Sequence, residues 1–504
     1  MRRRSVWFGR GILITLLAGM SLSAQAVFLN PQGLGQVLVY PYYTVNGGQD
    51  TLLALVNMSA DAKAVKVRFL EGYNSRDVLD VNVYLAAGDV WTAAVTDDGE
   101  GARLLVHDES CTVPAIESTP EHSVAFTTRA FDGRAPTGKD GGPVGISRTR
   151  EGHIEVIEMG VVKPNTASAY ALSPVGFDYG NGSGEWQGGQ PSDCARLRSA
   201  WDGAGYWNAD PAVDLAPPTG GLSGSVVIVD VARGVVQGYV ADALAEFHEP
   251  GKGIDHTPPD ALTPNIASGT SLSGLVYPSG HALQATFTRG IDAVSAVFMA
   301  DAFYNEFWTA PTLGAQSEWV VTYPTKRFYT DPYYIGTTAV PPFQNAFGAD
   351  AQASAGSCAG FAFAAHDQKA SGFTNKRELG MPYLASEPKL CFATQVVTFS
   401  QGTMDNPLDH TPNPPSKVLA SQLVSANLQS SFENGWAAFE PLGAGLKATN
   451  GATLGGQPVT GFWASQLVNG ALQGSLANYT VAMRHRSIVT CAKPSATGDS
   501  LACQ

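Results

Sequence analysis

The chain is short of charge. Only 15% of its 504 residues are Asp, Glu, Lys or Arg, against roughly a quarter in ordinary soluble domains. Positive charge is scarcer still: 31 Lys and Arg face 44 Asp and Glu, a net charge of −13. A nucleic-acid binder needs a basic face whose contacts release counterions. The densest basic pair, Lys326-Arg327 in TYPTKRFY, is flanked by aromatics and reads as part of a strand. Nucleic acid is therefore excluded as a partner.

Catalytic signatures are missing too. There is no HExxH, and the nine histidines are scattered. No G-x-S-x-G occurs; Gly269-Thr-Ser271-Leu-Ser273 puts serine where the last glycine must permit a tight turn. Gly443-Ala-Gly445 and Gly251-Lys-Gly253 do not lie between a strand and a helix, so neither can aim amides at a phosphate. None of the six cysteines forms a CxxC, which argues against a zinc ribbon or a thioredoxin-type site. No catalytic or cofactor-binding residue is assigned.

What the chain does have begins at its N-terminus. Arg2, Arg3, Arg4 and Arg10 precede an apolar stretch, Gly11 to Leu22, and a small-x-small site, Ala24-Gln25-Ala26. This is an export signal over residues 1–26, too short for a membrane anchor, with the mature chain starting near Val27. Losing those four arginines takes the net charge to −17. No later apolar run approaches the roughly 18 residues of a membrane helix. Export makes an even cysteine count read as disulfides: Cys111, Cys194, Cys358, Cys391, Cys491 and Cys503, with sequential pairing favoured.

The pattern of the remainder is β. Val65, Val67 and Phe69 alternate with Lys66 and Arg68; Val81, Val83 and Leu85 alternate with Asp80, Asn82 and Tyr84. Such alternation means one buried and one wet face. Further strands are expected at 36–43, 51–57, 91–95, 154–162, 224–230, 319–323, 327–329, 391–399, 436–439 and 459–463. Tyr239, Val240, Ala243, Leu244 and Phe247 recur at helical spacing and predict a short helix, and Asp292 is placed to cap another. Glu249 to Pro264 carries four prolines and breaks the pattern. The reading is mainly β: an immunoglobulin-like antiparallel sandwich over 27–248 with a long loop insertion, a Pro-rich linker over 249–270, and a second β-rich sandwich domain over 271–504, with a few short helices.

Candidate sites are few. Asp97, Asp98 and Glu100, and Asp178, Asn181 and Glu185, offer hard oxygens on Gly-rich loops suited to calcium, without EF-hand spacing; a solvated hairpin is the commoner explanation. Trp186, Trp201 and Trp207 sit in loop-like sequence and could stack on a glycan, although such residues are more often core. The tyrosines 40, 42, 43, 333 and 334 carry the same ambiguity. Glu71, Asp77, Asp89, Asp301 and Glu306 are apolar-flanked acids, but the paired carboxylates of a glycosidase meet only in space.

The stretches LNPQGLGQVLVYPYYTVNGGQDTLLALVN (29–57), VKVRFLEGYNSRDVLDVNVYLAAGDVWTA (65–93), SEWVVTYPTKRFY (317–329) and VTGFWASQLVNG (459–470) resemble a family of exported bacterial proteins mostly described as hypothetical or cell-surface proteins. The resemblance runs from near Leu29 to the last 20 residues. It implies a surface, periplasmic or extracellular setting and carries no activity or catalytic residue. The expected function is non-enzymatic: a surface or envelope component, structural or adhesive, binding protein or glycan. A secreted polysaccharide hydrolase or a carbohydrate-binding protein is the alternative.

Overall fold

The computed structural model describes residues 26–173, 191–348, 356–369, 372–374, 389–401, 408–409, 416–472, 475–494 and 500–502. Strands hold 45% of the chain and helices 12%, so it is mainly β with several antiparallel sheets. One pair, Thr394–Gln401 beside Val424–Ser430, is parallel.

Two sheets build the first half. One runs, in spatial order, Phe28–Leu29, Asp242–Ala245, Val37–Thr44, Glu151–Val162, Lys63–Glu71, Asp77–Leu85 and Cys111–Val113. The other runs Val235–Val240, Leu222–Asp230, Gln49–Asn57, Val90–Asp97, Ala102–Leu105 and Ser123–Ala125. Leu38, Val67, Val83 and Val156 of the first meet Leu53, Trp91, Leu104 and Ile228 of the second in one core. The register places Val67 opposite both Val81 and Val156, so β-branched side chains pair across neighbouring strands.

The second half repeats the device. Ala359–Asp367, Asn434–Pro441, Ala302–Trp308 and Arg486–Ile488 form one sheet, and Val424–Ser430, Thr394–Gln401, Ala315–Thr322, Thr460–Leu472 and Ser475–Arg484 form the other. Trp319, Phe399 and Trp463 pack on Phe303, Phe363 and Phe439 between them. The halves also share cores. Val320, Val396 and Phe462 enter the core of the first half, and Val37, Val39 and Leu244 enter that of the second.

That sharing overturns the expectation of wet faces. Lys66, Arg68 and Asn82 are fully buried. Residues 249–270 contain no helix or strand and lie as a strap over these side chains. Lys66 Nζ donates to Thr257 Oγ1 and to the carbonyls of Pro258, Ala261 and Thr263, each at 3.0 Å. Arg68 donates to the carbonyls of Leu262 and Pro264, and Asn82 to that of Thr257. Burial pushes the Lys66 ammonium down to about 8. The strap can sit there because its carbonyls and the Thr257 hydroxyl take up Lys66 and one Arg68 nitrogen, while Asp77 and Asp80 take the other two.

Three local expectations fail. Residues 239–247 form no helix: Val235–Val240 and Asp242–Ala245 are strands in different sheets, with Ala243 and Leu244 facing different cores. A strand buried on both faces loses its period-2 polarity, and the apolar run then mimics helical spacing. Arg327–Thr330 is a helical turn instead of a strand. Asp292 lies inside the Gly290–Phe298 helix, bonded to Arg289, rather than at its cap.

Candidate functional site

The cysteines fall as the spacing suggested. Cys111 bonds Cys194 and Cys358 bonds Cys391. Cys491 is also oxidised, and Cys503 lies outside the described residues. Disulfides fit an oxidising compartment.

The other candidates change character. Asp97 is held by Arg150 at 2.8 Å, which keeps its carboxyl below the usual range, and Asp98 pairs with Arg103 at 3.1 Å. That loop is a hairpin braced by arginines, with Glu100 beside it in solvent. Asp178, Asn181, Glu185 and Trp186 lie outside the described residues. Trp207 is not exposed at all: it stacks on Tyr84 at 5.1 Å, and its indole N–H donates to the Val213 carbonyl. Trp201 is half-buried and donates to the Tyr84 hydroxyl. The pair belongs to a small core shared with His256, not to a sugar platform, because the Cys111–Cys194 bridge pins their loop to the sheet. Tyr40, Tyr42 and Tyr43 are buried; Tyr333 and Tyr334 remain partly exposed.

The apolar-flanked acids all have partners, mostly within their own half: Asp77 with Arg68, Asp89 with Ser110, Asp301 with Thr490 and Glu306 with Arg486, while Glu71 belongs to a buried network that reaches the second half. Glu71 receives two nitrogens of Arg148, at 2.7 and 2.9 Å. Arg148 also reaches Asp140, and Asn74 links Asp140 to Asp331. Asp331, from the second half, is gripped by Arg76 of the first at 2.5 and 2.7 Å. The strand Glu151–Val162 is buried throughout; Glu151, His153 and Glu155 face the seam, while Glu158 pairs with Lys63 inside the first half. Glu151 accepts from Tyr42, Ser421 and the amides of Gln422 and Leu423. His153 meets Thr394 and is pushed by burial down to about 3. Glu155 pairs with Arg327. Sequence reasoning singled out Glu71 alone here. The signal it passed over is EGHIEVIEMGVV, a strand whose polar positions are three acids and a histidine inside an apolar run.

The halves leave space along one line. Three cavities of about 420, 40 and 240 Å³ adjoin through shared walls: Leu29, Val297 and Ser487 between the first two, Thr460, Gly461 and Arg484 between the second and third. Together they form a trough along residues 484–489. The large chamber is lined by Leu275, Val276, Tyr277, Met299, Ile488 and Val489. At the other end, Asp242 from the first half meets Arg484 and Thr460 from the second, with Arg484 Nη2 2.5 Å from the carboxylate. Burial holds the Asp242 carboxyl above its usual range, opposed by Arg484. Beside them His485 is buried and pushed down to about 3, its Nε2 against the Val320 carbonyl at 2.9 Å. The trough's polar end supplies one carboxylate, one guanidinium and one hydroxyl.

A second surface is the outer face of the Val235–Val240 sheet. Gly238, Val227, Leu52, Ala94 and Leu105 follow one another in register across five strands. The row lies open over a shallow hollow of about 350 Å³.

No family model, curated protein or solved structure matches this chain. Among the described residues no group of three or more His, Cys, Asp or Glu is placed to hold a metal, and no helix is long and apolar enough to cross a membrane.

Proposed function

We propose that this chain is an exported, non-enzymatic cell-surface or envelope protein that acts by binding, with two β-sandwich domains locked into one body. The immunoglobulin-like description belongs to this proposal: facing sheets support it, while the fourteen strands of the first half, counting the short Leu215–Ala216 strand beside Glu151–Val162, exceed the seven to nine of that fold. The single observation that carries the binding reading is the division of labour at the seam. The acids there are answered by arginines, hydroxyls or backbone amides, which serves cohesion, and the space left over is a mainly apolar trough with one polar end. A hydrolase would want at least two convergent free acids in its pocket; Asp242 stands alone in the trough lining.

Carbohydrate binding is the second reading, favoured by a different residue from those the sequence suggested. Trp436 is 43% exposed and stacks on His366 at 4.6 Å, an open aromatic face of the kind sugars pack on. Fractionation of native cells with antibody, together with a glycan array probed with the purified protein and its Trp436→Ala variant, tests both readings. Recovery with the envelope and no polymer turnover supports the first, and array signal lost in the variant supports the second. Protein found wholly in the medium and degrading a polysaccharide overturns both.

A further inference from the structure

We infer that the seam trough binds the acyl chain of a single-chain anionic amphiphile, with the chain in the large chamber and the head group at Arg484. The inference rests on the binding reading above and names its ligand class. Three observations converge on it.

The first is shape. The 420 Å³ chamber falls within the range of small-ligand sites. It is reached from the polar end through a neck of about 40 Å³ between Leu29, Val297 and Ser487, little more than the volume share of one water. Residues 484–489 flank the trough, and their five Cα steps span at most about 17 Å at strand spacing, comparable with a long-chain acyl group.

The second is lining chemistry. The chamber walls are mainly apolar, interrupted by Ser279 and Ser487, and Tyr277 and Ile488 at the edge are about half exposed. An acyl chain would take that surface out of water, and apolar burial scales with area. The third is charge. Arg484 lines both the neck and the outer cavity, pairs with Asp242 through Nη2 and is half exposed, and a planar guanidinium suits a carboxylate or phosphate.

The test is displacement of the fluorescent fatty acid cis-parinaric acid from the full-length mature protein, with palmitate, 1-palmitoyl-lysophosphatidylglycerol and 1-hexadecanol as competitors. We expect saturable displacement by one or both anions, with the tighter one identifying a free fatty acid or a lysophospholipid as the source. Arg484→Gln should weaken the anions roughly tenfold and leave hexadecanol unchanged. Val297→Trp should close the neck and abolish binding; if its melting curve shows misfolding, Ser487→Phe at the exposed rim replaces it. Absence of saturable binding, hexadecanol binding as tightly as palmitate, or neck variants that bind like wild type would overturn the inference. None of these results touches the cell fractionation, so a failed ligand and a failed envelope assignment remain distinguishable.

Discussion

Lys326 offers a sharp test of how this fold treats charge. Its ammonium is buried, donates to the carbonyls of Cys391 and Phe392 at 3.1 and 3.2 Å, and lies 5.1 Å from the Tyr323 ring centre. Burial pushes it from 10.5 down to about 7. Because the folded value lies below the unfolded one, both states are charged under pH 7 and the penalty is complete there. Between pH 7 and 10.5 the folded protein releases the proton while the unfolded chain keeps it, so stability rises with pH. Integrated from pH 7 to 9, with 1.36 kcal/mol per unit, the rise is about 2 kcal/mol. Lys326→Met keeps the packing and removes the titration. Its absolute stability reflects the lost hydrogen bonds as well, but those are independent of pH. The difference between wild type and variant should therefore move by about 2 kcal/mol toward wild type from pH 7 to pH 9. Guanidinium unfolding followed by tryptophan fluorescence at the two pH values measures it. Parallel pH profiles for the two proteins would refute the reasoning.

Other expectations follow the same logic. Arg148→Met strands Glu71 and Asp140 in the interior and should cost about 3–5 kcal/mol in chemical denaturation, partly restored by adding Glu71→Gln and Asp140→Asn. His256, held neutral by burial and pushed down to about 4, should make stability fall as pH drops from 6.5 toward 4, by about 2–3 kcal/mol; in His256→Gln the urea midpoint should lose that part of its acid dependence. Removing the Cys111–Cys194 bridge, which spans 83 residues, should cost roughly 4–5 kcal/mol, read as a lowered melting temperature in the double serine variant. Trp207→Ala should destabilise by about 3–5 kcal/mol and leave any glycan-array signal unchanged, since the indole is a core element.

Much of the first half was legible residue by residue. The alternation in 65–69 and 81–85 locates two strands, and the same β-branched positions line the observed core. The cysteine spacing in an exported chain pointed to the two bridges seen. Legibility failed at Asp242–Ala245 and at Arg327, where a segment covered on both sides carries no period, and at Trp207, where loop-like composition hid a residue clamped by a disulfide. The trough had no signature, since Asp242 and Arg484 are 242 residues apart and meet only in the fold.

Side-chain order along each strand, together with the cysteine count, was enough to specify a pleated, cross-linked polypeptide. Whether the polar side of each strand met water or protein was left to tertiary packing. Lys66, Arg68 and Asn82 read as solvent-facing in a linear pattern, yet all are buried. Polarity in sequence reports only that a side chain demands partners; it cannot say whether water, a carbonyl strap or a facing arginine supplies them, and that choice is made by which layers stack.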